Sequence, residues 1–306
     1  MANWQISNPN WSREAVIAHF GGDAPGSEFY RMLRAIDEDL FLNCGYSKMG
    51  RRHWSAKSRL RLVDRLAKRL FRKGPRPIRL LDVGCGRGGP ALRAREQWGA
   101  DVTGIDICPF AVERAIDQTR RRAIAEGLYF RSGDGMNLPY PDGEFPYVWA
   151  IEAAAYMPDK VRFFSEIERV VAPGGRFAVA AVTVDEHVAA GSRFALDCLG
   201  RFLAAWEMAS IESIESYAGR MEASGLSVTR KEDVTAYTLH PHAKRLGRLV
   251  RHWDNRLVYR AAAWYVRRKT NADLDLMREQ LEATFEAIES GVLRYGLLWG
   301  EQNAER

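Results

Sequence analysis

Asp82, Gly84, Gly86 and Gly88 stand at alternate positions in the run L-L-D-V-G-C-G-R-G-G, residues 80–89. Glycine is needed where a backbone must turn sharply and lie flat against a ligand. The apolar residues before and within the run (Ile78, Leu80, Leu81, Val83) read as a buried parallel strand. Pro90 suits the first turn of a helix. Together they form a strand–loop–helix unit, placed where open α/β sheets bind ligands. Gly84, Gly86 and Gly89 also satisfy the dinucleotide spacing G-x-G-x-x-G, so the glycines alone leave two cofactor classes open. Asp82 separates them. A pyrophosphate has no use for a carboxylate two residues before the first glycine, whereas a cationic ligand does.

Two more acids fall at strand ends, and the elements that must place them can be traced in order. From residue 78 onward apolar strands alternate with helical patterns, the signature of a parallel α/β sheet. A helix over 90–98 leads to a strand over 101–106 that ends in Asp106. A carboxylate there can accept both ribose hydroxyls of a nucleoside, with Ile107 beside it. Pro109 opens a helix over 109–126. A strand over 128–132 ends at Gly133-Asp134-Gly135-Met136, where Asp134 can accept from an adenine amino group and Met136 can lie against the ring. A strand over 147–151 closes on Ile151, followed by Glu152 and Tyr156. A helix over 159–171, a V-A-P-G-G turn at 171–175 and a strand over 176–182 complete this half. In the second half, 191–210 and 213–226 read as helices, the latter ending at Gly225, and 227–235 as the sixth strand. Residues 241–268 form a basic, aromatic helical region. Asn271 is expected to cap a helix carrying Leu274, Met277 and Leu281, and 292–299 is the last strand.

D-x-G-x-G-x-G, then Asp106, Asp134 and P-G-G in that order, resembles the cofactor-binding core of class I S-adenosylmethionine-dependent methyltransferases over residues 78–182. The resemblance implies a Rossmann-like α/β fold with a mostly parallel seven-stranded sheet, an antiparallel last strand, a helical N-terminal segment and an inserted cap. It implies that Asp82, Gly84, Gly86 and Gly88 surround the methionine part of S-adenosylmethionine, that Asp106 holds the ribose and Asp134 the adenine. Ile107, Gly135, Met136 and Ile151 complete that set. The chain then reads as one elaborated domain over 1–306. Residues 1–56 are an N-terminal lid segment, 57–182 the cofactor core, and 183–306 the acceptor-binding cap and C-terminal part.

Composition bounds the partners. With 46% apolar and 27% charged residues the chain can bury a large core, and no apolar run is long enough to span a membrane. Cys44, Cys85, Cys108 and Cys198 show neither C-x-x-C nor zinc spacing. Without a secretory signal they read as free thiols, which places the expected protein in the cytoplasm. The net charge of +6 is concentrated at 57–79, where ten Lys/Arg meet only Asp64. Leu60, Val63, Ala67, Leu70 and Phe71 recur there at helical spacing, so the cations read as the wet face of an amphipathic helix. No RNA-reading motif accompanies them, and no nucleic-acid partner is expected. An anionic small substrate suits the surplus. No D-D-x-x-D magnesium motif is present, and Asp37, Glu38 and Asp39 are too weak a cluster to assign a metal; a Mg2+ requirement and homo-oligomerisation stay open.

Three features bear on the acceptor. The resemblance puts Glu152 just past the fourth strand, where the reactive methyl sits, and Tyr156 on a seat where oxygen methyltransferases often carry histidine. The pocket candidates Tyr46, Trp149, Tyr156 and Trp206 are aromatic, with His53 nearby in sequence to Tyr46, and aromatic faces stabilise cations. The segment F-L-N-C-G-Y at 41–46, with Lys48, Arg51, Arg52, His53 and Trp54 after it, suits a lid as well as an ordinary packing segment. Finally, D-V-T at 233–235 resembles tocopherol and sterol methyltransferases, and S-G-V-L-R-Y-G-L-L-W at 290–299 resembles bacterial prenyl-diphosphate C-methyltransferases. These resemblances imply methylation of an isoprenoid alkene carbon, with Glu152 as the base that removes a proton afterwards. O- or N-methylation of a sugar, aromatic or polyketide product is the alternative. A cofactor-binding protein without transfer chemistry is another, and an NAD-dependent oxidoreductase is disfavoured by Asp82.

Overall fold

Short apolar runs, each flanked by turn residues, pair side by side into one sheet. The structure, a computed structural model, describes residues 6–21, 27, 30–31, 42–47, 56–72, 74–122, 124, 126–253, 264, 268 and 273–303. Its strands are β1 (Ile6–Ser7), β2 (Arg79–Val83), β3 (Asp101–Asp106), β4 (Leu128–Ser132), β5 (Phe145–Ile151), β6 (Val171–Val184), β7 (Ser210–Ile211), β8 (Leu226–Asp233) and β9 (Leu293–Gln302). The main sheet has seven strands in the order β4-β3-β2-β5-β6-β9-β8. β4, β3, β2, β5 and β6 are parallel, and β9 lies antiparallel between β6 and β8. This is the Rossmann-like class I methyltransferase fold. β1 and β7 pair separately as a short antiparallel ribbon.

The helices are α1 (Arg13–Gly21), α2 (Ala56–Leu70), α3 (Gly89–Trp98), α4 (Pro109–Arg121), α5 (Lys160–Val170), α6 (Glu186–Gly191), α7 (Arg193–Ala205), α8 (Ile214–Ala223), α9 (Leu239–Trp253) and α10 (Leu274–Glu289). They cover both faces of the sheet, because strand neighbours point to opposite sides. Leu80 and Trp149 enter one core cluster, while Leu81 and Val148 enter the other. Of the expected apolar stripe, Val63, Ala67, Leu70 and Phe71 are buried and Leu60 is partly buried, with Leu62 and Leu66 buried beside them. None of the described helices is long and apolar enough to cross a membrane.

Boundaries differ from the sequence expectation where tertiary pairing decides them. The helix expected to reach 126 stops at Arg121. β5 begins at Phe145, two residues early, because Phe145 pairs with Val171 before a register irregularity. The P-G-G segment therefore lies within β6, whose pairing with β9 carries it on to Val184. α10 is capped by Asp273, whose carboxylate accepts from the Asp275 and Leu276 backbone N–H groups; Asn271 lies outside the described residues. The helix expected over 28–42 falls largely outside them too, as do His53 and the acids Asp37, Glu38 and Asp39.

Parallel pairing has one consequence for function. The residues just beyond β2, β3, β4 and β5 (Gly84, Ile107, Gly133 and Glu152) collect along a single edge of the sheet, at the strands' carboxyl ends.

Candidate active site

Two cavities lie at that edge. The first holds about 770 Å³ of empty space, its open mouth included, and is lined by Gly84, Gly86, Asp106, Ile107, Gly135 and Ile151 among others. The second, about 970 Å³ on the same measure, lies against α7, α9 and α10, together termed the cap below, and is mostly apolar, with Val182, Phe202, Trp206, Met208, Leu281 and Ile288 in its wall. Tyr30, Leu42, Asn43, Glu152 and Tyr156 line both, so the cavities meet at Glu152.

Of the three alternate glycines in the loop, Gly86 is the one that faces open space. Gly86 adopts φ +53°, and a Cβ placed there would meet only Leu42 Cδ1, at 3.9 Å. Its N–H donates to Asp106 Oδ2 at 2.8 Å, and the Cys108 N–H donates to Asp106 Oδ1 at 2.9 Å. Burial pushes the Asp106 pKa up, opposed by backbone donors from Cys108, Gly86 and Ile107. Asp82 is 1% exposed, and its Oδ2 has no hydrogen-bond partner. Burial raises its pKa to about 7; the nearby Trp149 indole opposes the shift without a formed bond, and Asp106 adds to it. Asp82 itself lines neither cavity; Gly84, Gly86 and Asp106 line the first, and they are the residues present that fit a ligand such as S-adenosylmethionine.

The structure distributes the other expected cofactor residues differently. Gly88 (φ +80°) caps α3, and its Cβ position is filled by Ala115 and Phe130, so it serves helix packing rather than the cavity wall. Asp134 accepts the Met136 N–H at 2.8 Å and pairs with Arg13 at 3.7 Å; it lies outside the wall that its neighbours Gly133 and Gly135 form. Met136 packs its side chain against the second core cluster, not into the cavity. Asp106→Ala is expected to weaken S-adenosylhomocysteine binding at least about tenfold, because a carboxylate of the cavity wall, the expected partner of a ribose, is lost and the Gly86 and Cys108 N–H groups are left unpaired. Calorimetry on the folded variant checks this; unchanged affinity would remove Asp106 from the ribose role.

Glu152 is the centre of the junction. It sits at φ +59°, a left-handed conformation that costs a non-glycine residue about 1–3 kcal/mol. Its backbone N–H holds that turn by donating to Ala180 O at 2.7 Å. Its Oε1 accepts from the Cys44 backbone N–H at 2.7 Å and from the Tyr295 hydroxyl at 2.5 Å. Burial pushes its pKa up, and these donors pull it back. Tyr156 is different: burial, then Tyr30 and Glu152, hold its hydroxyl pKa well above the ordinary range.

Of the aromatic residues expected around the acceptor, Trp206 lines the cap cavity and anchors its indole N–H on Thr284 Oγ1 at 2.8 Å. Trp149 does not line it: β-pairing sets it opposite Asp82, and it is fully buried beside Phe71. Tyr46 also turns away, stacking on Tyr237 at 5.2 Å under the Arg65 guanidinium. Its neighbours Asn43, Cys44 and Gly45 form the wall instead, fixed by Tyr46 N–H to Ser58 O and Ser47 N–H to Tyr237 O. His53 lies outside the described residues. Tyr30, Arg59, His242 and Tyr295 were not singled out in the sequence. A strand tyrosine whose hydroxyl must find a partner once buried is the signal that could have found Tyr295. Among the described residues no group of three His, Cys, Asp or Glu could hold a metal.

An aromatic cluster supports the wall both cavities share. His19, fully buried, meets Phe20, Tyr30 and Trp206 edge to face at 5.4, 5.1 and 6.2 Å. Neither ring nitrogen has a partner, and burial lowers its pKa to about 4. The unfolded chain therefore binds a proton below about pH 6.5 that the folded chain refuses, so stability falls as pH drops toward 4. His19 is expected to contribute about 3 kcal/mol to that loss. Urea unfolding at pH 7 and 4 should show a smaller loss in His19→Phe; an equal loss in both proteins would reject the assignment.

Comparison with known proteins places this geometry. Residues 81–179 match the family model described as "Methyltransferase domain". The 27-O-demethylrifamycin SV methyltransferase of Amycolatopsis mediterranei is 36% identical over 179 residues, which cover 58% of this chain and 64% of that protein. The chain spans less than two thirds of the length of the curated relatives it matches first. The fold is shared with the [4+2]-cyclase SpnF (TM-score 0.73, 23% identity, 98% of this chain and 99% of that one). It is shared too with the geranyl diphosphate C-methyltransferase of Streptomyces coelicolor A3(2), solved with Mg2+, geranyl diphosphate and S-adenosyl-L-homocysteine (TM-score 0.68, 19% identity, 95% and 97% covered).

Proposed function

The chain carries a class I S-adenosylmethionine-dependent methyltransferase domain, and from that premise we propose that it methylates a lipophilic acceptor seated in the cap cavity, at an isoprenoid or prenyl-diphosphate alkene carbon, with Glu152 as base. One observation carries the reading: Glu152 is the sole carboxylate in the cap-cavity wall among the described residues, and it stands where the two cavities meet. Bound S-adenosylmethionine supplies a methyl group on a sulfonium, activated toward nucleophiles. Gly84 and Gly86 would hold its methionine part and Asp106 its ribose. The apolar wall excludes water and holds the acceptor in line, an arrangement that can contribute about 7 kcal/mol or more to the barrier reduction. Tyr30, Tyr156, Phe202 and Trp206 offer π faces to positive charge developing on the acceptor carbon. Glu152 then takes the proton whose loss restores the alkene.

O-methylation of a polyketide hydroxyl is the second reading. The similarity to a rifamycin O-methyltransferase favours it, as does His242 in the cavity wall, a candidate base for an O–H group. The cyclase that shares the fold keeps a third reading in view, cofactor binding without transfer. Methyl transfer from labelled S-adenosylmethionine to geranyl diphosphate, a prenylated hydroquinone and a hydroxylated macrolactam, with and without Mg2+, separates the three. Transfer to an isoprenoid carbon supports the first. Transfer only to oxygen replaces it with the second, and donor binding without transfer to any acceptor favours the third.

A further inference from the structure

The tripeptide Asp233-Val234-Thr235, which begins at the last paired residue of β8, has a purpose that the cavity walls do not account for. The Asp233 carboxylate accepts from both the Thr235 N–H (2.8 Å) and the Thr235 hydroxyl (2.5 Å). So fixed, Thr235 Oγ1 accepts the Tyr295 N–H at 2.8 Å, and the Val234 N–H donates to Tyr295 O at 2.9 Å. Both backbone groups of Tyr295 are thus gripped by one turn, while β6 pairs Val182 opposite Tyr295 from the other side. The side chain is fully buried, and its hydroxyl ends on Glu152 Oε1, 143 residues away in sequence, at 2.5 Å.

We propose that Tyr295 is the positioning residue of Glu152: held by Asp233-Val234-Thr235, its hydroxyl aims the carboxylate toward the cap cavity and stabilises its negative charge. The proposal rests on the reading of Glu152 as the base. A charge-assisted O–H···O⁻ bond is among the stronger contacts a buried carboxylate can receive. Burial works against the ionised form that a base needs, and Tyr295 is the first of the contacts that oppose it. The other titratable groups facing Glu152 are Cys44 from the 42–47 segment, Tyr30, and Tyr156 from the turn after β5. Burial raises the pKa of each of these, and of Tyr295, above its ordinary value, so all four are uncharged where Glu152 titrates. The Glu152 titration is therefore separate from those of these four groups, while Arg59 and His242 stand in the same cavity wall.

The titration itself needs no known acceptor. The protonated-carboxyl C=O stretch of Glu152 is isolated by infrared difference against Glu152→Gln and followed with pH in the full chain. The same is done in a Tyr295→Phe background. Loss of the donor should raise the midpoint by about one pH unit. Replacing Tyr295 by 3-fluorotyrosine, equal in shape but a stronger donor, should lower it; this also serves if Tyr295→Phe fails to fold. A packing role alone would leave the midpoint in place, so unchanged values overturn the proposal. If the midpoints shift as expected while Glu152→Gln methylates its acceptor at the wild-type rate, the pairing stands and the base assignment falls.

Discussion

Glu152→Gln is expected to lower methyl transfer by about 10²–10⁴-fold, the usual worth of a positioned base, while S-adenosylhomocysteine binds almost as before. The variant is informative because its structural cost is small. Glutamine keeps an Oε1 that can accept from the Cys44 N–H and the Tyr295 hydroxyl, and it leaves the φ +59° turn no more strained than glutamate does. Only basicity is removed. If an alkene carbon is methylated, proton loss is then no longer directed, and part of the product should leave as a different alkene isomer or a water adduct. A residue that merely oriented the donor would slow turnover without changing the product. The measurement is single-turnover transfer from labelled donor, with product analysis by mass spectrometry, on whichever acceptor the wild type methylates. Near-normal turnover with an unchanged product would rule out the base role, and His242 would be next to test.

What was legible in the sequence was what depends on local spacing. The glycine loop, the acid at the tip of β3 and the alternation of strands and helices each occupy a few consecutive residues. Parallel pairing then brings them to one edge without further instruction. Asp106 illustrates this: its position after an apolar strand and before Pro109 put it at a strand tip, and it lines the first cavity.

What was not legible depends on contacts distant in sequence. Trp149 and Trp206 look alike as aromatic pocket candidates, but strand register sends Trp149 into the core beside Phe71, and α7 delivers Trp206 to the cavity. Tyr46 and Cys44 are two residues apart, yet the segment's bonds to Ser58 and Tyr237 carry the Tyr46 ring away and bring the Cys44 N–H to Glu152. Met136 and Gly88 belong to motifs whose spacing is right, but their surroundings (the second core cluster for one, Ala115 and Phe130 for the other) give them packing roles. Tyr295 is the extreme case, since only β9's insertion between β6 and β8 places it at the site.

Gly86→Val should abolish donor binding, with S-adenosylhomocysteine affinity falling at least about 100-fold, a loss of roughly 2.7 kcal/mol or more. The three loop glycines are not equivalent probes. A Cβ at Gly84 would lie 2.5 Å from the Ala153 Cβ, and one at Gly88 would lie 2.9 Å from the Ala115 Cβ, so both substitutions would disturb the fold as well as the site. At Gly86 the nearest atom is Leu42 Cδ1 at 3.9 Å, so the added side chain enters open cavity. The structural penalty there is the positive φ of 53°, about 1–3 kcal/mol for a residue with a branched side chain. For a chain of this size that corresponds to a decrease in Tm of several degrees at most. The isopropyl group would occupy the cradle where the methionine part of the donor must lie against the backbone. Gly86→Ala should fall between the two, sharing the φ penalty but filling less of the cradle. Calorimetric titration with S-adenosylhomocysteine, alongside thermal unfolding of the three proteins, separates the two effects. Affinity lost in proportion to side-chain volume, at nearly constant Tm for the two variants, places the donor on Gly86. A Gly86→Val protein that still binds tightly would mean that the donor sits elsewhere on the sheet edge.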